Sequence, residues 1–429
     1  MDLGNCQVRQ VKNKILRATI LLLPLLCGIA PLMAYPIGLA SAQAMAMGGA
    51  FIGLAKGACA PLYNPANIGL IGYRQTGIDL ASIGAEISNN SFSLNDYNRY
   101  TGVLLNNEDK AAILDKVPLE GLKISANIEA SVLSFSTGSF VLSFAGHVAT
   151  EINLGKDPLR LFLIGNKFGD TFSLGGMYSE AIAYASAGLS YGTSLYKSGT
   201  RQLAIGATVK YIRGFGYEKV TELRGGVNTD ADGFNGDGLM LIRTAMGGNG
   251  YAVDIGLALR ASDSYTAGIT LKNIISNIAW NHDTKEYCYQ FHFDSLTIDD
   301  FDDETNDVSD SHTDNIFGFN SQLPTIMRVG LAKTSGILIW AVDWEQGFRL
   351  AAGVSSKPRL SAGVEYRLIR FFPLRAGYSI GGGREPAISG GIGLDFSLFY
   401  LDAAISGNNN FNFGAPTGVH FAVSTGLRF

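Results

Sequence analysis

The last eleven residues of the chain, 419–429, alternate between apolar side chains and small or polar ones. One face of this segment carries valine, phenylalanine and leucine, whereas the other carries His420, Ser424 and Arg428. A period of two indicates a β-strand, because successive side chains of a strand point to opposite faces of the sheet. A strand with one apolar face and one face that holds an arginine is typical of a wall between lipid and water.

The same alternation recurs along the chain, at residues 203–210, 253–260, 360–367 and 392–396. In residues 253–260 one face is Val, Ile, Leu and Leu, and the other is Asp, Gly, Ala and Arg, which no amphipathic helix would produce. A soluble β-sandwich would also alternate, but its connections would show no regular order of long and short. The order of long and short connections therefore decides between a membrane barrel and a soluble sandwich.

The spacing of these segments predicts an all-β fold, an antiparallel outer-membrane barrel of about 14 strands. The expected strand starts lie near residues 76, 121, 137, 180, 202, 250, 265, 323, 337, 359, 372, 388, 398 and 419. Links after even-numbered strands are tight and those after odd-numbered strands are mostly long, as in barrels whose two termini lie in the periplasm. Residues 346–358 or 219–245 could add a hairpin.

Charged side chains fall on the less apolar face of the alternating segments. The expected lumen-facing charges are Lys210, Asp254, Arg260, Glu365, Arg367, Asp395, Asp402 and Arg428. A Lys or Arg turned toward lipid at mid-depth would cost about 2–4 kcal/mol, so the register of each strand is strongly fixed. The net charge of −4 argues against general affinity for nucleic acid.

The N-terminus has the features of a secretory signal. Lys12, Lys14 and Arg17 precede an apolar run at residues 18–29, and small residues follow. We expect a signal peptide at residues 1–34, with cleavage after Ala42 as the second choice. A retained signal anchor is less favoured because the apolar run is shorter than the roughly 20 residues that a membrane span needs. The mature chain would then comprise a plug at residues 35–73 and a barrel at residues 74–429.

Several weaker motifs lie in the predicted loops. Residues 107–117 predict a short helix that ends at Pro118. Asp230 and Asp232 resemble the first half of a calcium loop, but its twelfth position is Leu239, so they are weak candidates and no metal site or cofactor is expected. The acidic residues of 294–314 indicate a solvated loop. No histidine has an obvious Ser and carboxylate partner, so we expect no enzymatic activity.

A segment rich in glycine and alanine separates the signal from the first strand and leads into Asn64-Pro65-Ala66. In this respect the sequence resembles the FadL-type outer-membrane transport family and its PorV-like and TraF-like relatives. The resemblance implies that this segment folds inside the barrel as a hatch, with Gly48, Gly49 and the Asn-Pro-Ala signature as gating residues.

The same resemblance implies a passive outer-membrane channel for hydrophobic small molecules, with Phe51, Ile52 and Leu54 as pocket candidates. The second half is more similar to the PorV-like and TraF-like branch. That similarity, at residues 253–257, 268–274 and 323–331 among others, implies instead a docking or shuttle component that contacts an envelope protein of a secretion or conjugation apparatus. The terminal Phe429 resembles the insertion signal that the barrel-assembly machinery recognises, which places the chain in the bacterial outer membrane.

Overall fold

The computed structural model describes residues 41–296, 309–396, 398–408 and 415–429. The predicted signal peptide, the start of the predicted plug and most of the acidic run lie outside the described residues. Five short helices are described: α1 (Ala42–Ala46), α2 (Ala60–Tyr63), α3 (Leu94–Tyr100), α4 (Asn107–Lys116) and α5 (Lys156–Ile164). Within the described part of the chain no helix is long and apolar enough to cross a membrane.

The rest of the described chain is mainly strand. In chain order the strands are β1 (Gly77–Asn89), β2 (Leu122–Thr137), β3 (Phe140–Leu154), β4 (Thr171–Ser173), β5 (Tyr178–Ser198), β6 (Arg201–Thr229), β7 (Phe234–Ala245), β8 (Gly248–Arg260), β9 (Tyr265–Trp280), β10 (Lys285–Leu296), β11 (Ser309–Asn315), β12 (Phe319–Ser321), β13 (Ile326–Ser335), β14 (Leu338–Gly347), β15 (Arg359–Ile369), β16 (Phe372–Gly381), β17 (Arg384–Asp395), β18 (Phe399–Asn408) and β19 (Gly418–Arg428).

Fourteen of these strands form a closed antiparallel barrel, because β1 pairs with both β2 and β19. The wall omits β4, β7, β10, β11 and β12. The predicted fold class is therefore confirmed, and each wall strand begins within four residues of its predicted start. Closure matters physically, since an open sheet edge would leave unpaired backbone groups in lipid.

The two faces of the wall differ as the alternation predicted. In β1, Ile83 and Ile87 are exposed on the outside, whereas Ser82 and Glu86 are buried on the inside. In β19, Phe421 and its apolar neighbours are exposed, while the side chains between them are buried. Such an apolar exterior around a polar interior is the pattern of a barrel that stands in lipid.

The two ends of the barrel are built differently. At one end, which we call the turn end, tight turns join the strands, and Gly138, Gly199 and Gly336 adopt the left-handed backbone that such turns require. At the other, the loop end, the predicted hairpin at residues 219–245 is present as the far half of β6 with β7. There β10 pairs with β7, and β11 pairs with β10, so a sheet projects beyond the wall.

One long connection folds inward at the loop end. This inward loop, residues 348–358, contains one isolated bridge between Ala351 and Val354 rather than a full hairpin. Ala352 and Val354 are buried in an apolar cluster with Trp280 and Ile326 of the wall. The Glu180 carboxylate accepts a hydrogen bond of 3.1 Å from the backbone N–H of Ala352 and so ties the loop to β5.

Candidate functional site: an inner segment and the cavity beside it

Residues 41–73 lie inside the barrel, and we call them the inner segment. Ser41 caps α1, which packs against β17, β18 and β19, and the 3-10 turn Pro65–Gly69 packs against β5, β6 and β8. Most of the buried side chains are small. The buried alanines are Ala42, Ala44, Ala46, Ala50, Ala55, Ala58, Ala60 and Ala66. Small side chains let the backbone of the segment approach the wall closely.

Glycines of the wall face the inner segment. A Cβ on Gly206 would lie 2.3 Å from the carbonyl oxygen of Pro65, and one on Gly377 would lie 2.1 Å from the backbone nitrogen of Gly48. We call the set the glycine band; its members are Gly192, Gly206, Gly256, Gly268, Gly330, Gly363, Gly377 and Gly391. They were not among the predicted site residues, although glycine on the inner face of residues 253–260 was a visible signal. A side chain at these positions would displace the inner segment.

Asp343 on β14 holds the middle of the inner segment. One carboxylate oxygen, Oδ2, accepts hydrogen bonds from the backbone N–H groups of Phe51, at 2.6 Å, and Ile52, at 2.8 Å. Asp343 is 6% exposed, so both bonds form away from bulk water. Charge-assisted hydrogen bonds of this kind contribute about 1.5–3 kcal/mol each. Sequence reasoning missed Asp343, because nothing in its local pattern marks it as a partner of the segment.

The Asn64-Pro65-Ala66 signature links the segment to itself and to the wall. The Asn64 side chain accepts from the Ala66 N–H at 3.0 Å and donates to the Leu257 carbonyl at 2.9 Å. Pro65 occupies the first position of the 3-10 turn, where its missing N–H costs nothing. Asn67 then donates to the carbonyls of two earlier residues of the segment and closes it upon itself.

The other predicted gating residues are two glycines with left-handed backbone. The φ angles are +70° at Gly48 and +95° at Gly49. An added Cβ at Gly48 would lie 2.8 Å from the backbone of Tyr378, whereas at Gly49 the nearest atom, the Ser361 hydroxyl, would be 3.5 Å away. Gly48 is therefore fixed both by its backbone angle and by contact with the wall.

The predicted pocket residues lie within the packed segment. Phe51 and Ile52 are buried, and the Phe51 ring meets the Tyr63 ring edge-on at 5.2 Å between centroids. Leu54 is partly buried against the same cluster. None of the three lines the larger cavity described next.

A cavity of about 320 Å³, which we call the vestibule, lies beside the inward loop in the loop-end half of the lumen. Its lining is Glu180, Ile182, Tyr184, Tyr217, Lys219, Asn273, Asn277, Asn320, Ser321, Gln322, Leu323, Pro324, Arg349, Ala351 and Ala352. The lining mixes amides and charges with apolar side chains. The volume falls at the low end of the range for ligand pockets, about 300–1,000 Å³.

A smaller cavity of about 30 Å³, which we call the lower cavity, lies between the vestibule and the inner segment. Tyr184 and Leu323 line both cavities and therefore separate them. The lower cavity reaches Leu62 of the inner segment, whose carbonyl accepts a hydrogen bond of 3.2 Å from Lys272. It has room for about one water molecule, so any larger solute requires movement here.

The wall beside the vestibule is interrupted. The strand β9 pairs with β12 through Ile278–Trp280 and with β13 up to Lys272, so on that side the residues between lack a regular ladder, although those at 275–277 still pair with β8. Asn273 has a φ of +52° there. Side chains replace the backbone ladder: Ser276 exchanges hydrogen bonds with Leu323, and Thr325 donates to the Asn273 carbonyl.

The predicted lumen charges occur in pairs on the inner face. Lys210 and Asp254 are 2.7 Å apart, and Arg260 pairs with Asp263 at the turn end. Asp395 pairs with Arg367 at 3.1 Å and with Arg428 at 3.0 Å, and Arg375 joins Glu365 to Asp402. Lys210–Asp254 and Arg375–Glu365 join adjacent strands, whereas Arg375–Asp402 and the two bonds of Asp395 each reach across one intervening strand. Asp402 also accepts from Gln43 of the inner segment at 2.6 Å.

The weak metal candidates shape a turn. Asp230 accepts hydrogen bonds from the Asp232 backbone, at 3.0 Å, and from the Asn235 side chain, at 2.8 Å. Over residues 41–296, 309–396, 398–408 and 415–429 the structure groups no three His, Cys, Asp or Glu side chains as metal ligands.

Cys59 provides a native reporter inside the segment. Its Sγ donates to the Lys56 carbonyl at 3.1 Å, and burial raises the pKa of the Cys59 thiol to about 12. The thiolate is the reactive form, so the thiol should react slowly at neutral pH while the segment is seated. The other described cysteine, Cys288, is buried on β10 and is also free.

Replacement of Asn64 by alanine should loosen the segment moderately. The change removes the hydrogen bonds to Ala66 and Leu257, and loss of such a cap costs about 1 kcal/mol. We expect maleimide labelling of Cys59 in a Cys288→Ser background to become about fivefold faster. Unchanged labelling would show that the signature does not fix the segment.

Comparisons with known proteins bear on the fold. A model described as a family of unknown function (DUF5723) matches residues 72–245. None of the curated proteins matches the sequence. The toluene transporter TbuX of Ralstonia pickettii superposes with a TM-score of 0.51 at 14% identity, over 94% of this chain and 100% of that one. The P. putida toluene transporter TodX superposes with a TM-score of 0.51 at 11% identity, over 93% of this chain and 99% of that one. At these identities the likeness concerns the fold.

Proposed function

We propose that the protein is a passive channel of the bacterial outer membrane for hydrophobic small molecules, with the inner segment as its hatch. The observation that carries the proposal is the seating of residues 41–73 across the lumen, held by Asp343 and packed on the glycine band. The loop end then faces the outside of the cell and the turn end faces the periplasm. The two superposed structures are toluene transporters, which supports the proposal.

Transport requires the hatch to move in part, because the cavity next to it is too small for an organic solute. A solute would enter through the vestibule and pass Tyr184 and Leu323. It would then displace the contact between Lys272 and Leu62. The hydrogen bonds that hold the hatch to the wall suit such movement, since they can be exchanged for hydrogen bonds to water or solute at little net cost.

Uptake into liposomes tests the proposal. We expect proteoliposomes to accumulate toluene or a long-chain fatty acid faster than empty vesicles do, and Gly48→Leu to change the rate. Heat-modifiable gel migration serves as the control for a folded barrel. Uptake equal to that of empty vesicles across a panel of hydrocarbons and fatty acids would count against a channel.

A second candidate, a docking component for an envelope protein, is favoured by the projecting sheet at the loop end. Its β10 carries Phe291 and Phe293, whose rings stack at 5.6 Å between centroids, and Phe293 also stacks on Phe234. Aromatic side chains are enriched at protein interfaces. Affinity purification distinguishes the two functions: recovery of a stoichiometric envelope complex supports docking, and an isolated barrel supports transport.

A further inference from the structure

The side chains that line the vestibule include more positive charges than negative ones. Of the described residues that line it, Glu180 is the one carboxylate, and both of its oxygens are already engaged. Oε1 accepts from the Lys219 ammonium at 3.2 Å, and Oε2 accepts from the Ala352 N–H at 3.1 Å and from the Tyr178 hydroxyl. The carboxylate is thus neutralised by its own neighbours and holds the inward loop.

Arg349 supplies a second positive charge to the vestibule. Its guanidinium donates to the Gln322 carbonyl, and among the described residues it belongs to no ion pair. Arginine has five N–H donors in a planar fork that matches a carboxylate. Because Arg349 is exposed, an anion from solution can reach those donors. Among the described residues, the vestibule therefore has one cation, Arg349, without a carboxylate partner.

The remaining lining suits a small amphipathic molecule. Ile182, Pro324 and Ala351 offer apolar surface, while Asn277 and Asn320 offer amide groups. At about 30 Å³ per water, the volume corresponds to about ten water molecules, or a ring-sized solute. We propose that the vestibule binds small amphipathic organic anions, with Arg349 as the residue that recognises the anionic group. This inference rests on the proposed channel function and names its class of solute.

The basic character continues toward the inner segment. Lys210 and Lys272 both line the lower cavity. Lys210 is paired with Asp254, and Lys272 donates to the Leu62 carbonyl of the inner segment. An anion that arrives at Lys272 competes with this carbonyl for the ammonium. Binding of the solute is thereby coupled to release of a hatch contact.

Calorimetry on the full-length barrel folded in detergent tests the assignment, with benzoate, its neutral isostere benzamide, and toluene as probes. We expect benzoate to bind at least about tenfold more tightly than benzamide, because a charge-assisted contact is about twice as strong as a neutral one. Arg349→Gln should weaken benzoate binding about tenfold and leave benzamide unchanged. Arg349→Lys keeps the charge without the planar fork of donors. Its benzoate affinity should lie between that of the parent and that of Arg349→Gln.

Arg370→Gln is the matched control, since Arg370 lies at the turn end, away from the vestibule. It should leave benzoate affinity unchanged. Equal affinity for benzoate and benzamide, no detectable binding of benzoate, or an unaltered benzoate affinity in Arg349→Gln would each overturn the assignment. Binding is measured without transport, so hydrocarbon uptake that persists in liposomes would keep the channel function while this inference fails. Benzoate binding without uptake of any probe would refute the channel instead.

Discussion

Replacement of Gly48 by leucine is expected to open the barrel to small ions without unfolding it. The new Cβ would lie 2.8 Å from both the backbone nitrogen and the carbonyl oxygen of Tyr378, atoms that the β16 ladder holds in place. Overpacking costs about 1–3 kcal/mol, and left-handed backbone costs a non-glycine residue about 1–2 kcal/mol more. A combined penalty of about 3 kcal/mol raises the displaced population of the inner segment about 100-fold.

Conductance across planar bilayers measures this effect. Deletion of residues 41–62 gives the upper limit of the conductance. It removes the contacts of α1, Phe51 and Ile52, while the wall strands still pair with one another. Gly146→Leu is the matched control: an added Cβ at Gly146 meets no atom of the described residues within 4 Å. If the deletion variant folds and conducts no more than the parent, residues 41–73 are not a plug, and the channel proposal loses its main support.

The wall could be predicted from sequence because lipid imposes a strict rule on each strand. Every second side chain must be apolar, so the alternation in residues such as 253–260 reveals both the strand and its face. The parity of short and long connections then gives the even strand number. Loop sheets obey no such rule, which is why β10 and β11 were not recognised within the long connection.

The seating of the inner segment was less accessible to prediction. Asn64-Pro65-Ala66 is a local motif, and its hydrogen bond from Ala66 to Asn64 is local as well. Asp343, by contrast, meets Phe51 from 292 positions away in the sequence. Its alternating context equally fits a charge that faces an open lumen. The branch relationship to PorV-like and TraF-like proteins likewise stays a prediction.

Removal of the Asp343 carboxylate should have a large effect on the inner segment. In Asp343→Ala the backbone N–H groups of Phe51 and Ile52 lose their acceptor while they remain buried. An unsatisfied buried donor costs about 1–3 kcal/mol, so the two together shift the seated equilibrium by about 3 kcal/mol, or about 100-fold. We expect a persistent rise in bilayer conductance and rapid maleimide labelling of Cys59 in the Cys288→Ser background.

Two companion variants separate loss of the latch from general damage to the wall. Asp343→Asn keeps an acceptor oxygen without the charge. We expect its rise in bilayer conductance to be about tenfold smaller than that of the alanine variant, since a neutral hydrogen bond is about half as strong as a charge-assisted one. Asp395→Ala breaks ion pairs with Arg367 and Arg428 that join wall strands to one another. In heat-modifiable gel migration its folded form should be lost at a lower temperature than that of the parent, yet its conductance should stay at the parent level. If Asp395→Ala opens the barrel as much as Asp343→Ala does, the conductance reports a weakened wall, and Asp343 has no special hold on the segment.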